Sequence, residues 1–98
     1  MPSISLTAPS ASNISSTSVS ASYTTSGFVT SLPSATIGLY ESGDTRNLLT
    51  SVSLLINGTS KATSTSTSGT LTALHGSTGA SFTIQAKASY TTYYVKRT

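Results

Sequence analysis

Phe82-Thr83-Ile84-Gln85-Ala86-Lys87-Ala88-Ser89-Tyr90 is the stretch that decides the fold class. Phe82, Ile84, Ala86, Ala88 and Tyr90 alternate without a break with Thr83, Gln85, Lys87 and Ser89. A strand repeats every two residues, so this order lays an apolar face and a polar face along one β-strand; a helix would need spacings of three and four. The glycine-bounded loop Leu74-His75-Gly76-Ser77-Thr78-Gly79 precedes it, and a further strand is predicted over about Thr92 to Lys96.

The same period recurs upstream. Ile4 and Leu6 alternate with Ser3, Ser5 and Thr7 until Pro9 interrupts, as a proline does at an edge strand or its exit. Val19, Ala21 and Tyr23 alternate with Ser18, Ser20 and Ser22, and Gly27 closes that segment. Ala35, Ile37 and Leu39 form a third set, and Glu41-Ser42-Gly43-Asp44 reads as a turn cluster. Val52, Leu54 and Ile56 share one face of the stretch from Leu48 to Ile56. Asn57-Gly58 then predicts a type I′ hairpin turn, which needs positive φ at both central residues. A polar strand over about Lys61 to Thr67 returns from it, and Leu71 and Ala73 mark the next. Seven or eight short, evenly spaced strands without helical crossovers predict an antiparallel sandwich or small barrel, in one domain over residues 1–98.

Composition narrows the chemistry. Of 98 residues, 22 are Ser and 19 are Thr, while only 7% are charged, against about 25% in ordinary soluble domains. Five Lys/Arg face two Asp/Glu, giving a net charge of +3. There is no cysteine, so disulfide and thiolate chemistry are excluded. No run approaches the roughly 20 apolar residues of a membrane helix. Met1-Pro2-Ser3 begins no basic and apolar leader, so the expectation is synthesis in a host cytoplasm without a signal peptide.

The segment from Leu71 to Ala88 resembles the region between the fifth and sixth strands of a fibronectin type III domain, with its leucine, glycine-containing loop, aromatic and alternating strand. Ser16 to Tyr23 is similar to the second strand of that family, Tyr23 standing where the family has tryptophan. Phe82 takes the place of the family's corner tyrosine, which implies loss of the corner hydrogen bond. Immunoglobulin-like sandwiches give nearly the same pattern. Domains of both kinds are common on the capsids and tails of double-stranded DNA phages, and small Ser/Thr-rich examples there look most like this chain. The resemblance implies an all-β, antiparallel Ig-like or fibronectin-like β-sandwich of about seven strands.

Catalytic constellations are sparse. His75 is the sole histidine, and its possible orienting acids are Glu41 and Asp44. With 41 hydroxyls in the chain, a Ser or Thr near His75 carries no information about a nucleophile, and no Gly-x-Ser-x-Gly elbow occurs. His75 therefore reads as a loop residue between strands, and the chain as a non-enzyme with no cofactor. One His and two acids cannot form a structural zinc site. Glu41 and Asp44 read as a solvated turn rather than a calcium site. Thr63 to Ser68 alternates threonine and serine, faintly like the arrays of ice-binding proteins, and reads as a solvent-facing or edge strand. Asn13-Ile14-Ser15 and Asn57-Gly58-Thr59 match the glycosylation sequon but lack a secretion signal to go with it.

The remaining candidates are contact residues. Tyr90, Tyr93 and Tyr94 gather near Lys96 and Arg97. Two or three phosphate contacts would make only weak nucleic-acid binding, so neither nucleic acid nor membrane is the expected partner. Amphipathic tyrosines suit an interface core or the face of a sugar ring. Tyr93 and Tyr94 must point to opposite faces of a strand. A surface with so little charge repels its own copies weakly, and short hydroxyl side chains lose little entropy when covered. The expectation is a structural or decoration protein of a virus particle, a phage capsid or tail, bound to virion proteins or to copies of itself by sheet edges or faces. Residues 1–13 and 93–98 are the candidate contact arms. An adhesion or carbohydrate-binding module using the tyrosines is the alternative.

Overall fold

The computed structural model describes residues 2–32, 40–76 and 81–96. Six strands run in chain order: β1 (Ser3–Leu6), β2 (Ser18–Ser26), β3 (Tyr40–Ile56), β4 (Thr59–Ser64), β5 (Ser68–Leu74) and β6 (Ile84–Lys96). A single 3-10 turn, Ala11–Asn13, lies between β1 and β2, and no α-helix occurs among the described residues. The strands form two antiparallel sheets of three, ordered β1-β2-β5 and β4-β3-β6.

The apolar alternation sets which faces meet. Val19, Ala21 and Tyr23 of β2 and Leu71 and Ala73 of β5 share one buried cluster with Leu49, Val52, Leu54 and Ile56 of β3. The two central strands, β2 and β3, therefore supply most of the core. Ile4, Leu6, Ala62, Phe82, Ile84 and Ala88 close its flanks, half-buried.

Tyr23 is the largest side chain fully enclosed. Its hydroxyl donates to the Ser66 carbonyl at 2.7 Å, and Thr25 Oγ1 donates to the Thr67 carbonyl at 2.6 Å. Both bonds hold the short segment that carries the chain from β4 in one sheet to β5 in the other. The serine-threonine run from Thr63 to Ser68 is thus split by this crossing and is not one continuous strand.

The Asn57-Gly58 turn forms as its sequence requires, with φ of 50° and 83° and Ile56 paired to Thr59. Asn57 also anchors the start of β6: its N–H donates to the Thr83 carbonyl at 2.9 Å, and its Oδ1 accepts from the Thr83 N–H at 3.1 Å.

Among the described residues six strands stand against the expected seven or eight. The expected strands at 82–90 and 92–96 are one, β6, because Tyr90 to Lys96 contains no Gly, Pro, Asn or Asp to turn the chain. The expected strand at 35–39 lies outside the described residues. The expected turn at Glu41-Ser42-Gly43-Asp44 runs inside β3 instead. Tyr40 pairs with Lys96 and Thr45 with Tyr94, so four residues of β3 stand opposite one of β6 as a wide irregularity.

β3 and β6 continue past the core as a ribbon. Val29 flanks β3 at Leu48 through a parallel bridge, and beyond it the ribbon has two strands among the described residues, with Thr45 opposite Tyr94. Seventeen residues at about 3.3 Å each nearly account for the 58 Å long axis of a molecule only 20 × 19 Å across. The exposed surface of 6182 Å² exceeds the about 5,200 Å² expected for a compact monomer of 10.0 kDa.

Leu54, fully buried on the central strand β3, tests the core. Leu54→Ala should lower unfolding stability by about 3 kcal/mol, read from the urea midpoint at unchanged slope.

Candidate functional site

Two surfaces stand out once the register is known. The first is the outer face of the β1-β2-β5 sheet. Because Ile4, Leu6, Val19, Ala21, Tyr23, Leu71 and Ala73 take the inward positions, the outward ones fall to their neighbours. These are Ser3, Ser5 and Thr7 along β1 and just past its end, Ser18, Ser20, Ser22, Thr24 and Ser26 along β2, and Ser68, Thr70 and Thr72 along β5. Every one is a hydroxyl. Leu74, at the rim of β5, is the exception on this face and is 70% exposed.

The hydroxyls pair across the strands. Ser20 Oγ and Thr72 Oγ1 lie 2.6 Å apart, Ser22 Oγ and Thr70 Oγ1 3.1 Å, and Ser3 Oγ and Ser26 Oγ 2.7 Å. Each such pair satisfies one donor internally and leaves lone pairs toward solvent. No strand of this sheet carries an Asp, Glu, Lys or Arg. All seven charges of the chain fall on β3, β4 and β6 or directly after β6.

A shallow cleft of about 140 Å³ lies at the edge of this face. It is lined by Thr7, Ala8, Pro9, Asn13, Ser20, Ser22 and Thr70. The turn beside it is closed by Asn13 Oδ1, which accepts from the Ser10 N–H at 3.2 Å and the Ser10 hydroxyl at 2.8 Å. The cleft has room for about four or five water molecules and offers them hydroxyl and amide partners.

The second surface is the outer edge of β6, which among the described residues has β3 as its sole neighbour in the sheet. Tyr90 stands opposite Leu49, its ring edge-on to Phe28 at 5.1 Å, and is 45% exposed. Tyr93 stands opposite Arg46 and is half-buried; Arg46 is exposed, and its Nη1 donates to the Thr45 carbonyl at 2.8 Å. Tyr94 and Lys96 hold the positions opposite Thr45 and Tyr40, with side chains outside the described residues, as is all of Arg97. The register thus brings Tyr93, Tyr94 and Lys96 to the ribbon and leaves Tyr90 at the core margin. Of the expected arm 1–13, Ser3–Leu6 is β1, paired to β2, and Ala11–Asn13 is the 3-10 turn.

His75 follows directly on β5 and is buried. Its backbone N–H donates to the Thr17 carbonyl at 2.9 Å, and its Nε2 lies 3.0 Å from the Ser15 carbonyl oxygen. Its ring stacks on Phe82 with centroids 4.4 Å apart and planes 14° from parallel. These contacts join the 15–18 turn to the start of β6. The side chains of Glu41 and Asp44 lie outside the described residues. Among the described residues no three His, Cys, Asp or Glu side chains gather as a metal site.

Comparison with known proteins finds no matching family model, no matching curated protein and no matching solved structure. What the chain shows is the class: a small all-β protein of two three-stranded antiparallel sheets, one with a charge-free hydroxyl face.

The hydroxyl face carries little of the folding energy, because its side chains lie outside the core. Thr24→Lys and Thr72→Lys should each unfold within about 0.5 kcal/mol of the wild-type chain in urea titration.

Proposed function

We propose that this chain is a non-enzymatic assembly module, a structural or decoration protein that attaches to a protein scaffold through its hydroxyl-covered sheet face. The observation that carries the reading is the segregation of charge. A face built from serine and threonine alone can be covered without stranding an ion, and its short side chains give up little conformational freedom. Catalysis at the buried His75 would need an acid, a nucleophile and open access arranged around it.

The strand order supports an immunoglobulin-type or fibronectin-like sandwich as the architecture. First, second and fifth strands share one sheet while third and sixth share the other, as strands A, B, E and C, F do in that group. The setting we propose is a phage particle, on the capsid or tail, where small modules of this kind serve as add-ons; this part rests on analogy of fold and composition.

Purified particles should carry the chain in copy numbers tied to their symmetry, read by quantitative mass spectrometry. A chain recovered only free in solution defeats the proposal. On the hydroxyl face, the double variant Thr24→Lys/Thr72→Lys should bind particles at least about ten-fold more weakly, because two ammonium groups would be desolvated in the contact.

A further inference from the structure

From the free edge of β6 we infer a second interaction surface, whose occupant is β6 of a second copy of this chain. The inference rests on the reading of the chain as an assembly module and adds a self-pairing contact distinct from the hydroxyl face.

β6 is the longest strand at a sheet edge. It runs 13 residues, against 4 for β1, 6 for β4 and 7 for β5. Edge strands are commonly protected by charge, proline, bulges or shortness. From Ile84 to Thr92, β6 has no proline or glycine, and Lys87 is its one charge. Its inward residues are also incompletely covered. Ile84, Ala86 and Ala88 are half-buried, although Ile56, Leu54 and Val52 opposite them on β3 are at most 2% exposed. Tyr90 continues this strip and is 45% exposed. Among the described residues, a backbone edge without a strand partner and a half-covered apolar strip therefore run side by side.

The strip is complementary to itself. Antiparallel pairing about a twofold axis at Ala88 sets Ala88 opposite its own copy and Ile84 opposite Thr92. It sets Tyr90 opposite Ala86, so the large ring lies beside the position with the smallest side chain. On the other face Lys87 meets Ser89 and Gln85 meets Thr91, so no like charges face one another. Centring on Lys87 would oppose two ammonium groups, and centring on Tyr90 would set Ile84 against Lys96. Shifting the pairing to a point between residues would match inward with outward positions, which the period of two forbids. The product is a continuous six-stranded sheet, β4-β3-β6 followed by its symmetry mate, that pairs the two β6 edges and leaves the shorter β4 at each end.

Sedimentation equilibrium on the full chain tests this. A reversible dimer is expected. Ser89→Glu faces Lys87 of the second copy twice per dimer and should tighten association about five-fold, while Ser89→Lys should weaken it by a similar factor. Both positions are exposed, and thermal melts should show the monomer fold unchanged. The chain has no cysteine, so Ala88→Cys should yield a disulfide-linked dimer on oxidation, whereas Ala86→Cys should not. A chain that stays monomeric at about 1 mM, or a dimer indifferent to both Ser89 substitutions, overturns the inference. Particle binding retained by a monomeric chain removes self-pairing alone. Particle binding absent from an intact dimer removes the scaffold reading alone.

Discussion

The hydrogen bond from Tyr23 to the Ser66 carbonyl ties the two sheets together at the point where the chain passes between them. The Tyr23 ring lies among the buried side chains, and its hydroxyl reaches the backbone of the crossing segment. Thr25 repeats the bond to the next carbonyl, at Thr67. Such a crossing cannot use ladder hydrogen bonds, so its carbonyls need side-chain partners or water. With the crossing held, β5 is delivered beside β2 with Leu71 and Ala73 facing inward. A phenylalanine at 23 would preserve the apolar packing and lose the anchor.

Much of this was legible in the sequence. The alternations at 4–6, 19–23, 52–56, 71–73 and 82–88 became inward faces, while Tyr90 at the end of the last is 45% exposed, and Asn57-Gly58 became the two-residue turn. Strand ends were less legible, because they depend on pairing. Tyr90 to Lys96 continues as one strand since β3 is long enough to pair with it throughout. Glu41 to Asp44 has turn composition, yet strands on both sides are held by Tyr40 and Thr45, so the extra residues become an irregularity within β3. His75 read as a loop residue; its burial came from Phe82 and the 15–18 turn, partners distant in sequence.

The hydroxyl face was half legible. Alternation placed serine and threonine outward on each strand. Only the strand order shows that the three charge-free strands are the ones that share a sheet. Tyr90, Tyr93 and Tyr94 likewise looked like one cluster along the chain. The register separates Tyr90, set against Phe28, from Tyr93 and Tyr94 on the ribbon.

Charge segregation also gives the molecule a direction. With all charges on or directly after the strands of one sheet, the electrostatic field is lopsided across the short axis. A negatively charged surface would draw the β4-β3-β6 side toward itself and leave the hydroxyl sheet facing away. That bias acts over roughly a Debye length, about 8 Å in physiological salt. It would orient an approaching chain before any contact forms, whereas adhesion through the hydroxyl sheet itself would respond little to ionic strength.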